Sequence, residues 1–158
     1  MRIPYEGAAL NGYLMTPHGS RGPRPTVLFP AGYDSVAEEG HLYGASAVRR
    51  EYTVLSFEGP GQGGVLYEHR LHLRPDFEAV LTPVVDFAVT RPEVDGDRLA
   101  LFGRSFAGYL APPGTSAEHR IAALVCDPGQ VDLGARVKEH LPAPALELIR
   151  ANDPKADT

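Results

Sequence analysis

Ser105 stands in Gly103-Arg104-Ser105-Phe106-Ala107, between an apolar run at 98–102 and a segment expected to be helical. A serine hydroxyl attacks a carbonyl carbon effectively only when its Oγ is exposed and a base takes its proton. A strand that turns at once into a helix provides the exposure. The turn is so tight that small residues are needed two before and two after the nucleophile, and Gly103 and Ala107 meet that need. The same turn aims the N–H of the next residue, Phe106, at the negative charge that develops on the attacked carbonyl oxygen. A second donor must come from the end of another strand. The loop Pro30-Ala31-Gly32-Tyr33-Asp34 follows the apolar run 26–29 and offers the Gly32 N–H, with that of Tyr33 as the alternative. The chemistry expected is acyl transfer, with Ser105 as nucleophile and Phe106 with Gly32 or Tyr33 as oxyanion donors.

The base is harder to find. Of the histidines His18, His41, His69, His72, His119 and His140, only the last two follow Ser105. A serine nucleophile on a strand–helix turn is expected to be followed by its acid and then its histidine. Ser105, Asp127 and His140 have that order, and Asp127 ends the apolar run 121–126. The competing reading makes Asp127 the cap of the Pro128-Gly129 turn. It leaves His140 in a stretch without a visible scaffold, and His119 on the surface at the end of the sheet opposite Ser105. On that reading the acid and base lie beyond Thr158. A rival from another class is a non-catalytic remnant or binding protein of the same fold. Ala107 favours it, as does Pro112-Pro113-Gly114, which is expected to end the helix after Ser105 near Leu110.

These residues need a frame. Runs at 10–15, 26–29, 52–57, 98–102 and 121–126 read as short, continuously apolar strands, the pattern of strands covered on both faces. Helical spacing places Leu42, Ala45 and Val48 on one face of 38–50. A helix from Pro75-Asp76 has Asp76 as N-cap and a kink at Pro83. After Asp132 only 145–151 has helical spacing. The alternation predicts an α/β fold, a mostly parallel sheet flanked by helices and lacking its C-terminal strands. Residues 1–132 form the N-terminal part of that core, and 133–158 the start of a cap or a truncated tail.

Gly59-Pro60-Gly61-Gln62-Gly63-Gly64 matches a dinucleotide-binding spacing. Pro60 is stiff where a phosphate should approach and 64–76 does not read as a helix, so the stretch is expected to be a rim loop. Glu58 and Asp34, at strand ends, are expected to anchor loops. His69 and His72 lack further metal ligands nearby. No cofactor or metal is therefore expected. A net charge of −5 in 158 residues does not advertise nucleic acid or an anionic membrane as partner. The single cysteine, Cys126, excludes an internal disulfide framework. There is no apolar leader or spanning segment, so the expected location is cytoplasmic. The expected partners are a small-molecule substrate and a second copy, through an uncovered sheet edge.

Several segments together resemble the α/β-hydrolase branch that contains the FrsA-like esterases and the 2,6-dihydroxypseudooxynicotine hydrolase type. They include Ile3-Pro4-Tyr5-Glu6-Gly7, Gly32-Tyr33-Asp34, Gly59-Pro60-Gly61-Gln62-Gly63, Arg74-Pro75-Asp76-Phe77, Gly103-Arg104-Ser105 and Asp127-Pro128-Gly129. They run in order from residue 3 to about 132. The resemblance implies hydrolysis of a carboxylic ester, or of a carbon–carbon bond next to a ketone. It also implies a helical segment before residue 3, and an acid and a histidine well past Thr158.

Overall fold

The N-terminal hairpin is set by its turn. Glu6 and Gly7 both take positive φ, 42° and 78°, the handedness that lets two residues join twisted antiparallel strands. They link β1 (Arg2–Tyr5) to β2 (Ala8–Met15), pairing Ile3 with Leu10. The computed structural model describes residues 1–151, the side chains of 136 and 137 excepted. The polar end of the expected tail, 152–158, lies outside the described residues.

Four further strands complete one sheet: β3 (Arg24–Pro30), β4 (Thr53–Phe57), β5 (Val94–Arg104) and β6 (Ile121–Asp127). Their order is β1-β2-β4-β3-β5-β6. β2 meets β4 antiparallel, and β3, β4, β5 and β6 run parallel. Every residue of β4 is buried, as an inner strand covered on both faces requires. The fold is the expected α/β sheet, mostly parallel and flanked by helices.

The helices differ from expectation in instructive ways. Residues 38–50 form a short 3-10 turn, then α1 (Gly40–Tyr43) and α2 (Ala45–Val48). Leu42 points outward, 75% exposed. The inward face belongs to the glycines. A Cβ on Gly40 would overlap Ser56, and one on Gly44 would stand 3.0 Å from Val54. Close packing on β4 thus overrides the apolar spacing. A helix does open at the glycine-rich stretch, α3 (Gly63–His69). Its N-terminus is filled by Glu58, whose carboxylate accepts the Val65 N–H at 3.3 Å. That negative charge sits where a dinucleotide's phosphates would need to lie.

α4 (Glu78–Val89) runs through Pro83. Asp76 does not cap it. Its carboxylate is held by Arg74 instead, Nε to Oδ1 at 2.8 Å and a terminal nitrogen to Oδ2 at 2.7 Å. α5 (Ala107–Ala117) also continues, past Pro112, Pro113 and Gly114. Gly114 is buried against Phe77 and Leu81 at the start of α4, where an added Cβ would press on both side chains at 3.0–3.1 Å. Thr115 and Ser116 hydroxyls donate to carbonyls of the proline turn at 2.7–3.1 Å. Packing and side-chain hydrogen bonds carry the helix where its ladder is interrupted. The core lies between the sheet and α4–α5, around Leu28, Leu55, Phe57, Leu81 and Leu101. Beyond β6, α6 (Leu133–His140) precedes α7 (Ala143–Ala151). His140 therefore does have a scaffold. The overlooked signal is Asp132, whose carboxylate accepts the Ala135 N–H at 2.8 Å as an N-cap should.

Candidate active site

β5 ends at Arg104 and α5 begins at Ala107, so Ser105 and Phe106 alone make the turn. Ser105 has φ 57°. A non-glycine residue there costs about 1–3 kcal/mol and persists only where its surroundings enforce it. They do. The Ser105 N–H donates to the Asp127 carbonyl at 2.8 Å, and its own carbonyl accepts the Gly108 N–H at 2.9 Å. Gln130 Nε2 donates to the same carbonyl at 3.3 Å. A Cβ on Gly103 would overlap the Ala107 carbonyl, and one on Gly108 would overlap that of Pro128. Small residues are thus required on both sides of the turn. The Ser105 side chain is left exposed.

It opens into a cleft of about 190 Å³ lined also by Gly32, Asp34, Ser35, Glu39, Tyr43 and Arg104. A Cβ on Gly32 would lie 3.6 Å from that of Ser105, which brings the 30–35 loop beside the turn. The rings of Tyr33 and Phe106 meet edge to face at 5.6 Å. Among the described residues, neither the Phe106 nor the Tyr33 N–H has an acceptor. The Gly32 N–H does: it donates to Ser35 Oγ at 2.5 Å.

Asp127 meets the turn through its backbone, and its side chain lies on the exposed end of β6. His140 ends α6, 61% exposed, with Nδ1 3.8 Å from the Glu139 carboxylate. It does not line the Ser105 cleft. His119 is exposed, and His69 Nε2 lies 3.1 Å from an Arg2 nitrogen. His72 lines a neighbouring cleft with Tyr33, Leu66, Tyr67 and Leu73. Glu58 is an anchor, 3% exposed. It accepts from Asn11 Nδ2 at 3.0 Å and the Ala37 N–H at 3.2 Å. Asp34 faces the cleft. Burial pushes the Cys126 thiol up, away from thiolate chemistry. The described residues hold no cluster of His, Cys, Asp or Glu suited to a metal. None of their helices is long and apolar enough to cross a membrane.

Three residues of the site carried no signal in the residue types alone. Ser35 and Gln62 act on the backbone of the 30–33 loop. Arg104 lays its guanidinium 4.1 Å over the Tyr43 ring inside the cleft. Their roles follow from distances that only the folded chain supplies.

A parallel sheet, a left-handed serine between strand and helix, and a facing loop with a free N–H define the α/β-hydrolase fold. Within it, the chain belongs to the family described as "Esterase FrsA-like", whose profile matches residues 1–142. It is 41% identical over 151 residues to hydrolase LUC6 of a Fusarium species, covering 90% of this chain and 36% of that protein. It is also 41% identical over 150 residues to 20-hydroxy-prefusarin hydrolase FUS2 of Gibberella moniliformis, with 89% and 36% covered. Among solved structures it resembles 2,6-dihydroxy-pseudo-oxynicotine hydrolase. The TM-score is 0.81 at 26% identity, with 93% of this chain and 40% of that one covered. The chain thus spans about 36% of the length of the curated relatives it matches.

Proposed function

We propose that Ser105 is the nucleophile of a hydrolase that cleaves a carboxylic ester, or a carbon–carbon bond next to a ketone, in a small-molecule substrate. The observation that carries the reading is Ser105 itself, held at φ 57° with an exposed side chain, followed by a Phe106 N–H without an acceptor and flanked by the loop of Gly32. Attack on the carbonyl carbon would leave the oxyanion between Phe106 and Tyr33. Gly32, whose N–H is taken by Ser35, would set the loop rather than donate. The names of two similar proteins, a 20-hydroxy-prefusarin hydrolase and a 2,6-dihydroxy-pseudo-oxynicotine hydrolase, support hydrolysis of a small organic molecule. The cleft lined by Tyr33, Leu66, Tyr67 and Leu73 would hold its apolar part.

The cleft gives no support to an internal triad, because His140 is not among its walls and Asp127 turns its carbonyl to Ser105. We therefore place the acid and base outside the described residues, in the portion of the family pattern that follows. On this reading 1–132 is the first part of a hydrolase core, and α6 and α7 begin a cap. That no histidine lines the cleft among the described residues is what favours the second reading, a non-catalytic member of the fold. A fluorophosphonate probe separates the two. Covalent labelling that Ser105→Ala abolishes supports a nucleophile, and a folded chain that never labels overturns it. Labelling undiminished by His140→Ala excludes the internal triad.

A further inference from the structure

We infer that Gln62 is the positioning residue of the oxyanion hole, holding the Ala31–Gly32 peptide so that the next N–H, that of Tyr33, faces the attacked carbonyl. The inference rests on the Ser105 reading above and assigns a role to the glycine-rich stretch that the nucleophile alone leaves idle.

Gln62 lies between α3 and the end of β4 and is wholly buried. Its Nε2 donates to the Ala31 carbonyl at 2.5 Å, and its Oε1 accepts the Gly59 N–H at 2.6 Å. The Ala31 carbonyl and the Gly32 N–H are the two edges of one rigid peptide plane. Gln62 holds the first edge, and Ser35 Oγ holds the second at 2.5 Å. The Ala31 N–H is tied in turn to the Phe57 carbonyl at 2.9 Å. With one plane fixed on both edges, only the Gly32 torsions separate it from the Tyr33 N–H. The stretch that presents Gln62 is itself tightly constrained. Gly61 has φ 80°, and its N–H donates to the Leu71 carbonyl at 2.7 Å. A buried amide that merely filled space would not need to join the Gly59 turn to the one peptide preceding the donor.

The test uses the full chain carrying Ser105→Cys, because a thiol reacts without a resident base. Two reactions of the introduced thiol are followed by peptide mass mapping, which separates it from Cys126. With p-nitrophenyl acetate, sulfur attacks the carbonyl carbon and the C=O electrons form an oxyanion. Collapse expels p-nitrophenolate, leaves a thioester and gives the thiol proton to water. With iodoacetamide, sulfur displaces iodide and no oxyanion forms. Gln62→Glu keeps the acceptor for Gly59 but loses the donor, and Gln62→Leu loses both. Each is expected to slow acylation by about 10–100-fold, short of the 10²–10³ for deleting a donor outright. Alkylation should stay within about twofold. If both reactions slow alike, or neither does, Gln62 is only a structural anchor and the inference fails alone. If acylation with Gln62 intact gains nothing over a free cysteine, there is no oxyanion hole and the Ser105 reading fails with it. Should the Gln62 variants lose their cooperative thermal transition, Ser35→Ala releases the opposite edge of the same plane. An acylation-specific fall then supports the inference, and unchanged or faster acylation overturns it.

Discussion

Asp127 meets Ser105 through the main chain. Its carbonyl, not its carboxylate, accepts the Ser105 N–H, so the main chain at the end of β6 sets the turn. Asp127→Asn keeps that carbonyl and removes only the charge. We expect its fluorophosphonate labelling rate to stay within about twofold of the parent. A triad acid replaced by its amide typically costs about 10⁴ in rate, so the two roles are well separated. A loss beyond tenfold, measured by labelling kinetics, would return the carboxylate to the reaction. The sequence motif was enough to place Ser105 and Phe106 on a strand–helix turn, because that turn tolerates few residues. It put Gly32 ahead of Tyr33 as the second donor. That choice depends on whether the Ser35 hydroxyl already holds the Gly32 N–H, which no local pattern encodes.

Elements were legible where one force dominates. β3 and β4 follow from apolar runs, and β4 is buried on both faces; β6 follows from its run as well, but it is not the covered strand expected, since residues 122–125 are exposed. α5 was misread because proline counts against a helix locally, whereas Gly114 packed on Phe77 and Leu81 supports it from afar. α4 is a related case, since Asp76 spends its carboxylate on Arg74. Arg74 also donates to the Tyr5 hydroxyl at 2.5 Å and the Glu6 carboxylate at 2.8 Å. The cluster joins the β1–β2 turn to the start of α4. Hydrogen bonding from Arg74 lowers the Asp76 carboxyl to about 2. An unfolded aspartate titrates near 3.9, so the folded value is depressed. The contribution is complete above that unfolded value and disappears as pH falls through about 2. Chemical denaturation of the parent and Asp76→Asn should therefore show a stability gap at pH 6 that closes between pH 4 and 2. A gap independent of pH would mean that Asp76 acts without its charge.

At the scale of the whole molecule, the two faces of the sheet are unequal. One carries α4, α5 and the core. The other is covered by α1 and α2 over β3 and β4, but opens toward β6 into a groove of about 510 Å³. Val27, Phe29, Ala100, Phe102 and Val125 line it. Val125 is 52% exposed there, on a strand that has no outer neighbour among the described residues. An apolar face beside an open strand edge is a ready site for another chain. We propose that a second copy occupies it when the 158-residue chain is alone. In a symmetric pair each substitution is felt twice. At about 1 kcal/mol for a half-exposed valine, Val125→Lys should raise the dimer dissociation constant by about tenfold or more. Sedimentation velocity across a concentration series measures this directly. A parent chain that stays monomeric throughout, or a Val125→Lys chain that associates as strongly as the parent, would remove the groove as the contact.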